Sequence, residues 1–137
     1  MVVSNLSMDN YKNFNHIKIH TQYSICEGAL RINDLAEFCK KNKIKCVGLS
    51  DTTNLCGALE FSENLSKIGT QPIIGTQVNF KFADQIGLLP LIATSEESYK
   101  SIIEMSSNSY LKNDGMSEPH CNFKDLTAIS KDIIILS

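Results

Sequence analysis

The sequence predicts an α/β fold with a largely parallel sheet, on three observations. Short apolar segments typical of strands alternate with amphipathic segments typical of helices, and the connections between them are short. Apolar residues make up 42% of the 137 residues, which is enough for a hydrophobic core. No run of about 18 apolar residues occurs, so no membrane-spanning helix is expected.

Residues 1–13 are polar and lack the apolar core of a secretion signal. We therefore expect a flexible leader at these positions and a cytoplasmic location. The first strand is predicted from about Phe14 to His20, where polar and apolar residues alternate with a period of two. This alternation places Lys18 and His20 on the same face of the strand.

The first helix is predicted from about Asn33 to Asn42, with Asn33 as its N-cap. Its buried face is expected to carry Leu35, Ala36 and Cys39, which recur at helical spacing. The short apolar segment from Cys46 to Ser50 is typical of a second strand.

Asn54 is the expected N-cap of a second helix, and Gly69 is its expected end. The apolar stripe between them consists of Leu55, Ala58, Leu59 and Leu65. A third strand is predicted from Pro72 to about Phe82. A turn at Asp84–Gly87 then returns the chain through a strand at Leu88–Ala93.

Thr94 and Glu97 have the capping-box spacing at the start of a third helix. We expect the core side of that helix to hold Tyr99, Ile102, Ile103 and Tyr110. The segment from Asn113 to Gly115 should end the helix. A short helix near Phe123–Ala128 and a buried strand at Ile133–Leu136 complete the predicted order.

The charge and the cysteines argue against two kinds of protein. The net charge is -2 and the Lys and Arg residues are scattered, which argues against nucleic-acid binding by this segment alone. The five cysteines are an odd number and include no C-x-x-C pair. We therefore expect reduced thiols rather than a disulfide framework or a zinc ribbon.

The length is short for the fold that the pattern predicts. A closed barrel of alternating strands and helices needs roughly 200–250 residues, and this chain has 137. The last predicted strand has no following element to cover it. We therefore expect residues 14–137 to be part of a domain in a longer protein.

Several short motifs occur in an order that is more specific than any one of them. They are Tyr23-Ser24, Gly28-Ala29, Asp51, Asn54-Leu55, Gly57 and Pro72-Ile73-Ile74-Gly75. With this order and spacing, residues 14–82 resemble the start of the bacterial DNA polymerase III alpha subunit, its polymerase and histidinol phosphatase (PHP) domain. The resemblance implies the N-terminal half of an irregular (β/α) barrel of seven largely parallel strands.

The resemblance also identifies positions that correspond to a metal site. In family members with an intact site, the second histidine of a His-x-His pair matches His20, and a following carboxylate matches Glu27. The aspartate of an Asp-His pair after the second strand matches Asp51. These three positions retain residue types that can bind a metal ion.

Three further positions of the same site carry replacements. Lys18 and Thr52 stand where such family members have histidines, and Gln77 stands where they have an acidic residue. A lysine ammonium has no lone pair, and a glutamine lacks the charge that would offset a cation. We therefore expect a vestigial site without metal, with Lys18 bridging to Glu27 or Asp51.

The resemblance implies a role for the segment within a replicative polymerase. We expect a non-catalytic scaffold that docks the separate proofreading exonuclease subunit, with other polymerase III subunits as further partners. The parent protein would be a DNA-directed DNA polymerase that uses Mg²⁺ and contacts DNA through domains absent from this segment. No catalytic residue, cofactor or membrane contact is expected in the segment itself.

Two alternatives remain open from the sequence. The first is an active metal-dependent phosphoesterase or 3′–5′ exonuclease, which would need cations to activate water and hold the scissile phosphate. The second is a free-standing binding module without an attached polymerase. Metal content would distinguish the first alternative from the scaffold, and the sequence beyond Ser137 would test the second.

Overall fold

The computed structural model describes residues 14–113, 115–126 and 132–136. The predicted leader, residues 1–13, lies outside the described residues, as do positions 127 and 128 of the predicted short helix. The helices are α1 (Ile32–Asn42), α2 (Ala58–Lys67), α3 (Glu96–Leu111) and α4 (Phe123–Leu126). The strands are β1 (Cys46–Gly48), β2 (Asp51–Thr52), β3 (Gln71–Ile73), β4 (Gly75–Phe82), β5 (Gln85–Ala93), β6 (Cys121–Asn122) and β7 (Ile133–Ile135). None of the helices in these ranges is long and apolar enough to cross a membrane.

The strands form two sheets, and the predicted α/β class is confirmed. In one sheet β1 pairs with β3, and in the other the order is β2-β4-β5-β7, with β6 also paired to β4. The β1–β3, β2–β4 and β4–β6 pairs are parallel, whereas β5 is antiparallel to β4 and to β7. Within the described ranges these strands do not close into a barrel.

The predicted first strand is present as an extended segment rather than as a continuous strand. The Gly48 N–H donates to the His16 carbonyl at 2.7 Å, and the Ile19 N–H donates to the Gly48 carbonyl at 3.1 Å. The Ser50 N–H donates to the Ile19 carbonyl at 2.8 Å, and one parallel bridge joins Ile19 to Leu49. The segment therefore runs beside β1 and arrives next to β2.

The predicted third strand divides into β3 and β4 because the chain changes partners at one position. The Ile73 carbonyl accepts a hydrogen bond from the Leu49 N–H, whereas the next carbonyl, of Ile74, accepts from the Ala93 N–H in β5. Gly75 lies directly after this change. A Cβ atom at Gly75 would lie 2.4 Å from a backbone oxygen of β5, so the close approach requires glycine.

The hydrophobic core has two parts. In the first, α1 and α2 pack against β1, and Phe61 and Leu65 of α2 are fully buried. In the second, α3 packs on β4 and β5 through Ile102 and Met105. Full burial of one such side chain stabilises the fold by about 1.5–3 kcal/mol. The two parts lie on the two sheets that the partner change at Ile74 separates.

The predicted caps of α1 and α2 are wrong by a few residues. The N-cap of α1 is Arg31, without a side-chain cap, because the Ile32 N–H donates instead to Gln22 Oε1 at 3.2 Å. The N-cap of α2 is Gly57. Asn54 lies in the preceding turn, where its side-chain oxygen accepts from the Cys56 N–H at 3.0 Å.

The predicted capping box of α3 is displaced by one residue. Ser95 is the N-cap, and its hydroxyl accepts from the Ser98 N–H at 3.1 Å. Ser98 Oγ lies 2.8 Å from the Ser95 nitrogen, so the reciprocal contact is made by a serine rather than by Glu97. The Thr94–Glu97 spacing fitted the motif in sequence, but the actual pair begins one position later.

Several residues predicted to be buried are exposed. Leu59 of α2 is 72% exposed and Tyr110 of α3 is 52% exposed. The Tyr110 hydroxyl lies 3.2 Å from the Thr53 carbonyl, so this tyrosine makes a polar contact with the loop after β2 instead of packing in the core. Ile134 of β7 is half-exposed because β7 lies at the edge of the described sheet.

Candidate functional site

Three chain segments bring the candidate residues to one place. The extended segment reaches His20, β2 ends at Thr52, and β4 passes through Gln77 near its start. Thr52 is the direct register partner of Gln77 in the parallel β2–β4 ladder. The bridge from Ile19 to Leu49 places His20 beside the same strand ends. The side chains of these residues therefore converge.

His20, Glu27, Thr52 and Gln77 form a closed cycle of polar contacts, which we call the strand-end ring. Gln77 Nε2 lies 3.3 Å from His20 Nε2 and donates to Thr52 Oγ1 at 3.2 Å. Thr52 Oγ1 donates to Glu27 Oε2 at 2.5 Å, and Glu27 Oε2 lies 3.6 Å from His20 Nδ1. Each ring side chain thus contacts two others.

For a neutral His20 imidazole, these contacts favour one tautomer. The Gln77 NH₂ group only donates, so His20 Nε2 accepts from it through its lone pair. The proton of the neutral imidazole then lies on Nδ1, which faces Ser24 Oγ at 3.4 Å and Glu27 Oε2 at 3.6 Å. Both oxygens can accept it, so this tautomer satisfies every contact of the imidazole.

Asp51 lies beside the ring but belongs to a different network. Its carboxylate is fully buried and accepts from the Thr21 N–H at 2.6 Å, from Thr21 Oγ1 at 2.7 Å and from Ser24 Oγ at 2.7 Å. Ser24 Oγ also accepts from the Thr52 N–H at 3.1 Å. Asp51 therefore holds the turn after His20 against β2, and its oxygens already have partners.

The expected bridge from Lys18 to a carboxylate is not present. Lys18 is exposed, and within the described part of the chain it forms no ion pair with Glu27 or Asp51. The physical reason is that His20 faces Glu27, while three neighbouring donors surround Asp51. Lys18 therefore does not contribute to the ring.

The donor set of the ring does not fit a zinc or manganese ion. Such ions are held by imidazole nitrogen and carboxylate oxygen, and among ring members only His20 and Glu27 carry them. The Nε2 lone pair of His20 faces the Gln77 NH₂ group, whose partial positive charge opposes a cation. No group of three or more His, Cys, Asp or Glu side chains in the described residues is placed to hold a metal ion.

Sequence reasoning did not assign the residues that support this site, although Tyr23-Ser24 is one of the motifs that carry the resemblance. Thr21 and Ser24 are fully buried and supply hydrogen bonds to Asp51. The Tyr23 hydroxyl donates to Glu60 Oε2 at 2.7 Å, and this hydrogen bond to a carboxylate raises the pKa of Tyr23 above its ordinary value. The Thr-x-Tyr-Ser spacing after the strand was the available signal, because the turn brings all three side chains toward β2 and α2.

The comparison with protein families gives one match across nearly the whole described chain. The PHP domain model matches residues 16–137. Relatives include DNA polymerase III subunit alpha from Rickettsia felis, 36% identical over 90% of this chain, and from Helicobacter pylori, 33% identical over 95%. The corresponding protein from Caulobacter vibrioides is 31% identical over 90% of this chain. The chain spans 10–12% of the length of these relatives.

Solved structures support the fold assignment. A protein described as a metal-dependent phosphoesterase from Bifidobacterium adolescentis aligns with a TM-score of 0.56 at 22% identity, over 69% of this chain and 32% of that chain. An amidohydrolase from Chromobacterium violaceum aligns with the same TM-score at 13% identity and the same coverage. At these identities the similarity concerns the fold alone.

Proposed function

The chain belongs to the PHP domain family, and from this premise we propose that it is the N-terminal segment of a replicative DNA polymerase III alpha subunit. The support is its similarity to proteins of that name over 88–95% of the chain. The parent protein would be a DNA-directed DNA polymerase of the cytoplasm that uses Mg²⁺ and binds DNA through regions beyond this segment. The segment itself would contact no membrane.

Within that protein, the segment serves as a metal-free scaffold. The observation that carries this proposal is the strand-end ring, in which the Gln77 amide joins His20 to Thr52. A hydrolytic metal centre must lower the pKa of a bound water and hold the scissile phosphate between cations. The ring offers hydrogen bonds between its own members instead, which favours a structural role.

The partner of the scaffold is the proofreading exonuclease subunit, together with other subunits of the polymerase III assembly. A domain that has lost its own hydrolytic site keeps a rigid surface on which a separate nuclease can dock. In support of docking, the described part of the chain has exposed apolar side chains that a partner could cover, among them Ile25, Leu59 and Leu111.

Co-purification and metal analysis of the full-length protein test these two parts separately. The scaffold proposal expects elemental mass spectrometry to find far less than stoichiometric zinc or manganese, because the ring lacks the donor set that these metals need. The docking proposal expects the exonuclease subunit to co-elute on size-exclusion chromatography. Absence of association would refute docking and leave the ring unaffected.

An active phosphoesterase or 3′–5′ exonuclease is the competing function. The observation in its favour is that an imidazole and a carboxylate remain close, with His20 Nδ1 3.6 Å from Glu27 Oε2. Stoichiometric zinc or manganese, together with hydrolysis of a single-stranded oligonucleotide that the variant Glu27→Gln abolishes, would establish this function in place of the scaffold.

A further inference from the structure

A groove at the end of β4 that lies away from its pairing with β2 combines lysines with exposed aromatic rings. We call it the basic groove; its volume is about 860 Å³. It lies where the far end of β4, the end of α3 and the start of α4 meet. Its lining includes Lys81, Phe82, Lys112, His120, Phe123 and Lys124. Residues of the strand-end ring do not line it.

The charges in the basic groove are predominantly positive. Lys81 and Lys112 are exposed, and neither forms an ion pair with any of the described residues. Asp125 is the carboxylate in the lining, and one of its oxygens accepts from the Asn122 N–H at 3.0 Å. Three lysines that are far apart in the sequence meet here, since Lys81 lies in β4, Lys112 directly follows α3 and Lys124 lies in α4.

The aromatic pair in the groove is unusually exposed. Phe82 at the end of β4 and Phe123 at the start of α4 have ring centroids 5.3 Å apart in an edge-to-face arrangement. Phe82 is 67% exposed. An edge-to-face contact covers only part of each ring, so a flat ligand can still stack on Phe82.

From this combination we propose that the basic groove binds single-stranded nucleic acid. Proteins that bind single strands combine cationic groups along the backbone with aromatic side chains on which bases stack. Lys81 and Lys112 would contact phosphates, and the exposed Phe82 ring would stack on a base. This proposal goes beyond the proposed scaffold role and does not depend on it, because the groove lies outside the ring.

An acidic peptide is the competing occupant of the groove, and the geometry favours nucleic acid. A peptide side chain gains most by filling a closed apolar pocket. The basic groove instead offers an open ring face between ammonium groups, which is suited to alternating bases and phosphates. A duplex is disfavoured because its bases are already stacked on each other and cannot reach Phe82.

Fluorescence anisotropy with a labelled twelve-residue oligothymidylate tests the proposal on the full chain. Binding should weaken as salt rises, and Lys81→Gln and Lys112→Gln should each reduce the slope of log K against log salt by about 0.7. Phe82→Leu should weaken binding about tenfold, the order of magnitude for loss of one stacked base. A duplex of the same length should bind more weakly.

Matched substitutions at exposed positions of α1 provide the controls. Phe38 is 55% exposed, so Phe38→Leu repeats the aromatic change, and Lys41→Gln repeats the charge change away from the groove. Both should leave affinity and salt slope unchanged. Circular dichroism of every variant distinguishes loss of binding from loss of fold, and Lys81→Glu provides a second groove variant that preserves the aromatic pair.

Ultraviolet crosslinking of the oligothymidylate, followed by mass spectrometry, locates the bound strand even in a longer polypeptide. Crosslinks to Phe82 or Phe123 support the proposal. Three outcomes overturn it: no binding, binding that the groove variants leave unchanged, and displacement of the strand by an acidic, tyrosine-containing copolymer that binds the groove more tightly.

Discussion

At the scale of single residues, the buried carboxylate of Asp51 is the strongest local constraint near the site. It accepts hydrogen bonds from two atoms of Thr21 and from Ser24 Oγ, all within 2.7 Å. A buried carboxylate is tolerated only when its oxygens have such partners. The turn that carries Ser24 is therefore fixed relative to β2, which in turn fixes where His20 points.

Asp51→Asn is expected to lower the free energy of unfolding by about 1–3 kcal/mol. The introduced amide nitrogen cannot accept hydrogen bonds, so one or two of the donors from Thr21 and Ser24 lose their partner. Urea denaturation measures the change. The control Asp84→Asn, at an exposed hairpin turn, should change stability by less than about 0.5 kcal/mol; equal effects of the two variants would contradict the structural role of Asp51.

The cysteines should divide into two classes of reactivity. Burial raises the pKa of the Cys39 and Cys121 thiols, whereas Cys26 and Cys56 are exposed. The thiolate is the reactive form. At pH 8 iodoacetamide should therefore modify the exposed pair first and the buried pair only after urea is added, as measured by mass spectrometry. Rapid labelling of Cys39 in native protein would contradict its burial.

The same two pKa shifts give the sign of a pH effect on stability. A folded-state pKa above the unfolded value means that the fold favours the neutral thiol. This contribution is fully present below the ordinary thiol pKa of about 8.5 and is lost as the pH rises through the higher folded-state value. Titration of Cys39 and Cys121 alone therefore lowers stability at alkaline pH and has no effect at acidic pH.

At the scale of elements, a substitution at Gly75 tests the change of partner strand that occurs at Ile74 and Gly75. A Cβ atom at Gly75 would lie 2.4 Å from the Leu91 carbonyl oxygen, a backbone atom that cannot rotate away. Gly75→Ala should therefore lower the free energy of unfolding by about 1–3 kcal/mol. Gly87→Ala is the matched control, because a Cβ there would meet no atom within 4 Å.

Thermal denaturation of the two glycine variants distinguishes a local clash from a general cost of replacing glycine in a strand. Gly87→Ala should be neutral or slightly stabilising, since alanine restricts the unfolded chain more than glycine does. A similar decrease in both variants would mean that the close approach of β4 to β5 does not constrain Gly75.

The displaced cap of α3 gives a second prediction for an element. Ser95→Ala removes the hydroxyl that accepts from the Ser98 N–H and should lower stability by about 1 kcal/mol. Thr94, the cap expected from the sequence, has its N–H bonded to Ser98 Oγ at 3.0 Å but does not cap the helix. Ser107→Ala, on an exposed part of α3, is the matched control and should be nearly neutral in urea denaturation.

The order and type of the elements could be predicted from the sequence, whereas several of their ends could not. Periodicity located α1 and α2 and the buried positions Leu35 and Cys39. The caps of α1 and α3 were misplaced because a tertiary partner, Gln22, or an adjacent serine provided a better contact than the local motif. The prediction that Tyr110 is buried was wrong. Helical spacing shows which side of the helix a residue lies on, but it does not show where the neighbouring sheet ends.

For the site, the sequence likewise predicted which residues take part but not the contacts that they make. The resemblance located four positions that the structure brings into the ring, including Thr52 and Gln77. Sequence reasoning could not foresee that Asp51 would be surrounded by donors or that Lys18 would stay at the surface. Those outcomes depend on how the turn after His20 folds back on β2, which is a long-range contact.

At the scale of the whole molecule, hydrogen bonds of the strand-end ring connect three chain segments. His20 belongs to the extended segment, Thr52 to β2 and Gln77 to β4. The contacts among them are hydrogen bonds, and from the proposed metal-free scaffold we expect chelators to leave the stability of the native protein unchanged. The ring thus gives the fold a polar link at the position where the family resemblance implies a metal site.

Replacing two residues of the strand-end ring with residues that can bind a metal ion should therefore make the stability of the molecule depend on zinc. In the double variant Thr52→His plus Gln77→Glu, the two introduced donors join His20 and Glu27 around one point. Because zinc would bind the folded state only, a free concentration 100 times the Kd stabilises it by about 2.7 kcal/mol. Differential scanning fluorimetry should show a higher Tm with zinc, and a chelator should reverse the increase.

The comparison must separate a rebuilt site from a general effect of added histidine and glutamate. Thr94→His plus Gln71→Glu makes the same two changes at exposed positions outside the ring, so this control and the native chain should show no zinc-dependent Tm. If the ring variant also fails to respond, although circular dichroism shows that it is folded, the four ring positions do not converge on a common point. The hydrogen-bonded geometry that underlies the scaffold role would then be wrong.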